Sequence, residues 1–404
     1  MSESSESHRL KPSPAFTAPQ IRELVLARCK ALGFALAGIC PARPSDFSDE
    51  FQTWLAQGKH ATMEYLEQYV NVRLDPSRIM PDVKSMLCVA DLYAPRVPRS
   101  GPSTSAEATT TSEGEPLGLV ARYARGRDYH QVIKRRLHTL ADELRELIPG
   151  SDFRTVVDSA PVLEREHAAR AGLGWVGRHT LLINPRIGSW FLLGCVLSNI
   201  EIEPTPPSEA ISSALNHPDH CGTCTRCIDA CPTQAITRPT NPDDPSRSVD
   251  ASRCISYLTI EHQPPIDERF HRALGTRVFG CDICQEVCPH NSQPADQPTL
   301  VPNASYASRL PQSHGFKLLD MLNWTKEIRR TSLGPSALKR ATHEMFKRNA
   351  LLAAANAIED RLGTDQARAE LLDRISELTK DLQESEQNRA LAKKLLERLK
   401  KAGA

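Results

Sequence analysis

Cys221-Gly-Thr-Cys224-Thr-Arg-Cys227-Ile-Asp-Ala-Cys231-Pro232, followed fifty residues later by Cys281-Asp-Ile-Cys284-Gln-Glu-Val-Cys288-Pro289, decides how this 404-residue chain is read. Three thiolates two residues apart can wrap one iron–sulfur cube. The cysteine just before each proline lies past the turn and points at a neighbouring cube. The proline stops the short helix from running back.

Both runs follow the bacterial ferredoxin pattern for paired [4Fe–4S] clusters. The second lacks its leading cysteine, because Val278 stands at that position, and Cys254 can supply the missing thiolate from a loop. The ligands then close as two sets of four. Cys221, Cys224, Cys227 and Cys288 hold one cluster; Cys231, Cys254, Cys281 and Cys284 hold the other. Zinc prefers ligands in separated pairs and suits this spacing poorly. Cys29, Cys40, Cys88 and Cys195 are scattered and read as buried thiols that pack like small hydrophobes.

Composition is that of an ordinary globular protein: 40% hydrophobic, 25% charged, net charge +1. Overall charge therefore names no partner, and any nucleic-acid site must come from local clusters of Lys and Arg. The N-terminal stretch lacks the apolar core of an export signal, no apolar run is long enough to span a membrane, and dense cysteine then favours metal over disulfides. These features predict a cytoplasmic protein.

Four regions follow along the chain. Residues 1–17 read as a disordered arm. Residues 18–205 alternate helical and strand patterns: a helix within 18–38, strands at Met86–Ala90, Arg154–Val157, Leu181–Ile183 and Trp190–Leu197, and helices at 128–148 and 159–172. The Pro-, Ser-, Thr- and Gly-rich stretch 95–118 reads as a flexible insertion. The cysteine domain occupies 206–295, and 296–315 reads as a polar linker. Residues 316–404 read as helices at 316–328, 335–362, 364–380 and 386–401, resembling HEAT-type pairs. The predicted class is α+β.

Thiolate-bound clusters move single electrons, and a ferredoxin needs only about 60 residues to hold two. More than 300 further residues surround them here, so something else binds and receives the electrons. The blocks VDSAPVLERE (157–166), AGLGWVGRHTLLIN (171–184), RYARGRDYH (122–130), RCISYLTIE (253–261) and FGCDICQEVCPHN (279–291) resemble the epoxyqueuosine reductase family in order along most of 18–360.

That resemblance implies an enzyme that reduces the epoxide of epoxyqueuosine at the tRNA wobble position to give queuosine. It implies two [4Fe–4S] clusters and cobalamin, the latter between a reductive-dehalogenase-like N-terminal α/β domain and the ferredoxin-like domain. A monomer served by an external low-potential donor, such as flavodoxin or ferredoxin, would fit. Asp158 is the implied proton donor, although its position ahead of a helix with Pro161 also suits an N-cap. Burial beside the corrin and substrate is expected to raise its pKa.

Arg73, Arg122, Tyr123, Asp158, Arg165 and Glu261 are the implied cobalamin contacts. Arg340, Lys347, Arg348, Asn349 and Asn356 are the implied tRNA contacts in a HEAT-like C-terminal region. Gly172, Gly174 and Gly177 read as a loop where backbone approaches the corrin or substrate. Residues 128–133 begin like a cobalt-ligating D-x-H-x-x-G element but carry Ile133 in place of glycine, so His130 is not expected on cobalt. His290 stands where the family commonly has Trp, which weakens a stacking role there.

Overall fold

The computed structural model describes residues 16–98, 108–206, 220–238, 247–293 and 300–403. The predicted arm at 1–17 lies almost entirely outside them. Four strands form an antiparallel sheet in the order Leu36–Pro41, Ser85–Leu92, Phe191–Ser198, Phe153–Val156. Every residue of Ser85–Leu92 is buried. Its near-continuous apolar run therefore marks a strand covered on both faces.

Side chains alternate across the sheet. Gly194 leaves room for Ile133 and Leu137 of the helix Tyr129–Leu147. Cys195, the next residue, meets its cross-strand partner Cys88 at 3.6 Å. Cys40 Sγ lies 3.5 Å from the His167 carbonyl of the helix Glu164–Arg170. The four scattered cysteines are all buried and unbridged, so their reading as apolar packing is consistent with the fold.

Local chemistry shifts several predicted boundaries. The first helix stops at Ala31, just ahead of Gly33, where its apolar pattern predicts the stop, and residues 36–41 form a strand. The helix expected over 159–172 starts only at Glu164, with Leu163 at its N-cap, so Asp158 does not cap it. The helix expected over 316–328 breaks because Thr325 caps a new one, Lys326–Leu333, by accepting from the Ile328 amide. Thr342 does the same for His343–Glu359 through the Met345 amide. A capping hydroxyl satisfies an otherwise orphaned donor, so each marks a helix start.

Of the expected insertion 95–118, residues 99–107 lie outside the described residues. The described ends are built into the fold. Val97–Pro98 pairs with Ser292–Gln293, and Leu117–Val120 is a buried strand. That strand lies between Gly315–Lys317 and Arg277–Phe279 and so joins three distant parts of the chain. The 296–315 stretch is not a loose linker where it is described: Tyr306 is buried and its hydroxyl donates to Asp91 in the central sheet at 2.6 Å.

The helices Leu318–Asn323, His343–Glu359, Asp365–Leu378 and Glu386–Ala402 share one apolar core with the cysteine domain. Phe346 stacks on Phe279 with centroids 5.9 Å apart. Among the described residues no helix is long and apolar enough to cross a membrane.

Candidate active site and cluster centre

The eight motif cysteines carry no disulfide. Several of them lie close enough to raise one another's thiols. Burial pushes the Cys227 thiol up to about 12, reinforced by Cys221, Cys288 and Cys224. Cys288 is pushed up to about 11 by burial, with Cys221 and Cys224 adding to it. In the second set, burial raises Cys281 to about 12, with Cys254 contributing, and Cys254 is itself raised beside Cys231. Free thiols so placed would stay protonated and inert. Bound iron reverses that by paying the charge cost of the thiolates, so the donor set fits cubane clusters.

Backbone amides support the sulfurs. Cys231 Sγ accepts from the Ala235 amide at 3.2 Å. The amides of Tyr257 and Ser256 lower the Cys254 thiol, which stands at the N-cap of the helix Ile255–Ile260. Such bonds tune cluster potentials. This helix ends at Glu261, so Cys254 and Glu261 lie about 10 Å apart along one short rod.

Asp158 lies in the loop after the last sheet strand, with φ +47°. A left-handed backbone is unfavourable for a non-glycine residue and persists only when its surroundings enforce it. Here Glu164 Oε1 accepts the Asp158 amide at 2.7 Å. The carboxylate accepts from the Tyr129 hydroxyl, and His130 Nε2 stands 3.1 Å away. On the other edge of the imidazole, Nδ1 is 2.8 Å from Asp128 Oδ1. The Tyr129 and His130 rings stack at 4.0 Å.

These contacts reverse the expected charge. Burial pushes the Asp158 carboxyl up, but hydrogen bonds from His130 and Tyr129, with the charges of His130 and Arg165, hold it below the usual carboxylate range. His130 loses by burial and gains more from Asp128 and Asp158, reaching about 9. Glu164 is raised to about 8 by burial and the adjacent Asp158 charge. At neutral pH the protons therefore sit on His130 and Glu164, on either side of an ionised Asp158. The Asp158 side chain is 58% exposed.

Tyr65, Arg73, Tyr123 and Glu261 lie close enough to Asp158 or to one another to interact electrostatically. The Tyr65 phenol is raised by burial and by Glu261 and Asp158, against Arg340 and Arg73. Tyr123 is raised by burial and by Asp158, Asp282 and Glu261, and its ring meets Tyr129 edge-on at 6.0 Å. Arg73 Nε is buried with no hydrogen-bond partner among the described residues. Arg165 Nη1 reaches Thr180 Oγ1 at 3.3 Å. Glu164 and Tyr65 were not singled out from sequence. Glu164 sits within the quoted 157–166 block, but Tyr65 carries no motif.

Other expected contacts take structural work instead. Arg122 lies over Trp190 at 4.7 Å, and its amide donates to Asp282 at 2.7 Å, tying the sheet domain to the cysteine domain. Lys347, Arg348, Asn349 and Asn356 are buried. Lys347 Nζ donates to the Leu322 carbonyl at 2.6 Å, and Arg348 holds the carbonyls of Leu258, His262 and Pro264. Asn349 bridges Thr259 and Val278, and Asn356 bridges His271 and Gly275. These side chains satisfy otherwise orphaned carbonyls and are not free for RNA. Only Arg340 of that group is exposed; it forks onto Glu261 with two bonds of 2.8 Å.

The glycine loop also serves packing. A Cβ on Gly174 would lie 2.1 Å from the Ile183 carbonyl, so its role is to let the hairpin Trp175–Val176/Leu182–Ile183 close. Trp175 on that hairpin contacts His220 and His290 edge-on, each at 5.0 Å, beside the first cysteine set.

Residues 220–291, which contain all eight motif cysteines, match the family model described as "4Fe-4S double cluster binding domain". Residues 73–159 match "Epoxyqueuosine reductase QueG, DUF1730". The epoxyqueuosine reductase of Xanthomonas campestris pv. campestris is 37% identical over 350 residues, 86% of this chain and 89% of the relative. That of Escherichia coli K12 is 34% identical over 326 residues, 81% and 78% of the two chains. A crystal structure of epoxyqueuosine reductase with an epoxyqueuosine-modified tRNA-Tyr stem loop superposes with a TM-score of 0.74 at 25% identity. It covers 95% of this chain and all of the other. The chain belongs to the epoxyqueuosine reductase family.

Proposed function

We propose that this chain reduces the epoxide of epoxyqueuosine in tRNA to the alkene of queuosine, consuming two electrons and two protons and releasing the oxygen as water. One observation carries the mechanism: an Asp128–His130–Asp158 hydrogen-bonded line stands near the end, at Glu261, of the helix that starts at Cys254, and we take the space between them as the substrate cleft. An acid must protonate the departing oxygen, and general acid catalysis typically contributes about 10²–10⁴-fold. His130 Nε2 holds that proton at rest and passes it across the shared hydrogen bond to Asp158, which delivers it to the departing oxygen. Tyr129 and the Glu164–Asp158 amide contact fix the loop. Glu164 holds a further proton at neutral pH.

Arg73, Tyr123, Arg165 and Glu261 would hold cobalamin, whose acceptor-rich amide rim suits the unpartnered Arg73 donor. When bound, the cofactor supplies a metal centre able to bring two electrons to a carbon–oxygen bond. The cysteine sets pass electrons singly, and the Cys231/Cys254/Cys281/Cys284 set is joined to Glu261 through the helix that starts at Cys254. The C-terminal helices act as a HEAT-like buttress for the cluster domain. A cytoplasmic monomer fed by flavodoxin or ferredoxin completes this reading.

The test is anaerobic incubation of reconstituted protein and a low-potential reductant with a stem loop carrying epoxyqueuosine. Nucleoside recovered with one oxygen atom fewer supports the reading. Unchanged nucleoside, from protein with both clusters and cobalamin bound, overturns it.

A further inference from the structure

We infer that Tyr65 and Arg340 form a seat for the nucleotide that flanks the reacting one, with the base on the open face of Tyr65 and its phosphate on Arg340. The assignment rests on the RNA-reductase reading above. A nucleoside that reaches Asp158 inside the cleft must leave its stack, and its neighbours then lie at the rim. Single-stranded RNA is held at such places by aromatic faces and arginine planes.

The rim supplies both. Tyr65, on the short helix Tyr65–Gln68, is 40% exposed, and Tyr69 one turn later is 52% exposed. The Tyr65 hydroxyl touches Met63 Sδ at 3.2 Å, which restrains the ring. Arg340 approaches from the C-terminal region, its guanidinium carbon 5.9 Å from the Tyr65 centroid. Its Nε and Nη2 are both spent on Glu261, each at 2.8 Å. Nη1 has no hydrogen-bond partner among the described residues. A guanidinium fixed side-on with one edge open suits a phosphate oxygen. The seat thus joins the N-terminal domain, the end of the cluster-ligand helix and the C-terminal region at the cleft mouth. It also places RNA recognition where the buried Lys347, Arg348, Asn349 and Asn356 cannot.

The experiment measures affinity of the holoenzyme for two stem loops, one intact and one abasic at both positions flanking epoxyqueuosine. Tyr65→Leu should weaken binding of the intact loop about ten- to a hundredfold, the range of one lost base stack. It should leave the abasic loop bound as wild type binds it, while Tyr65→Phe restores affinity. Iron content and absorbance confirm that each variant is folded and loaded. Equal losses on both loops, or no loss on either, overturn the seat. Turnover is scored separately, so failure of the reductase reading appears as unchanged nucleoside, whereas failure of the seat appears in the affinities.

Discussion

His130 Nε2 and Asp158 Oδ2 stand 3.1 Å apart across the mouth of the Tyr129–Leu147 helix, and Asp128 grips the far edge of the same imidazole at 2.8 Å. The imidazole is thus held between two carboxylates. This arrangement keeps a proton beside Asp158 without placing it on Asp158 at rest.

The first prediction concerns pH. His130 is raised to about 9 in the folded chain, above its ordinary value of 6.5. Its network therefore contributes stability that is fully present below pH 6.5 and is lost as pH rises through about 9. Activity should show an alkaline limb near pH 9 for the same reason. His130→Gln should lower single-turnover rate about 10–100-fold and remove the limb. A wild-type limb that survives in this variant would assign it to another group.

Glu164 gives a contrasting case. With its carboxyl raised to about 8, it is mostly protonated at pH 7. Glu164→Gln imitates the protonated form, so the rate at pH 7 should fall less than about tenfold. Glu164→Ala loses the acceptor of the Asp158 amide and should fall further. Single-turnover rates of the two variants at pH 7 make the comparison; equal losses would mean that the Glu164 charge matters and its shape does not.

Cys254→Ser should lose the second cluster alone, dropping iron from about eight to about four per chain. Iron near eight in that variant would break the ligand sets. Cys88→Ser, in the sheet core opposite Cys195, should leave iron unchanged.

Asn349→Ala should destabilise the fold by about 1–3 kcal/mol for each carbonyl left unpaired, here those of Thr259 and Val278. Chemical denaturation measures this. The folded variant should bind the stem loop as wild type does; a selective loss of RNA affinity would return Asn349 to the RNA surface.

The presence of a double-cluster domain was legible because its signal is local: cysteine spacing and two Cys-Pro pairs mark it before any packing is known. The central strand Ser85–Leu92 and the helix Tyr129–Leu147 were legible through periodicity. What failed depended on partners far along the chain. Lys347, Arg348 and Asn349 look like RNA ligands until the carbonyls they satisfy, from residues 258–264, 278 and 322, are in place. The Asp158 pKa was expected to rise through burial beside the implied corrin and substrate, and the opposing His130, 28 residues earlier, was not seen as its partner. The stretch 95–118 looked structureless, although its last two residues, Leu117 and Gly118, begin a buried strand whose partners lie at 277–279 and 315–317.

The most direct measurement is the single-turnover rate of Asp158→Asn on an epoxyqueuosine stem loop, with clusters, cobalamin and RNA affinity matched to wild type. The account predicts a fall of about 10²–10⁴-fold with binding intact. A variant that reduces the epoxide as fast as wild type would contradict it.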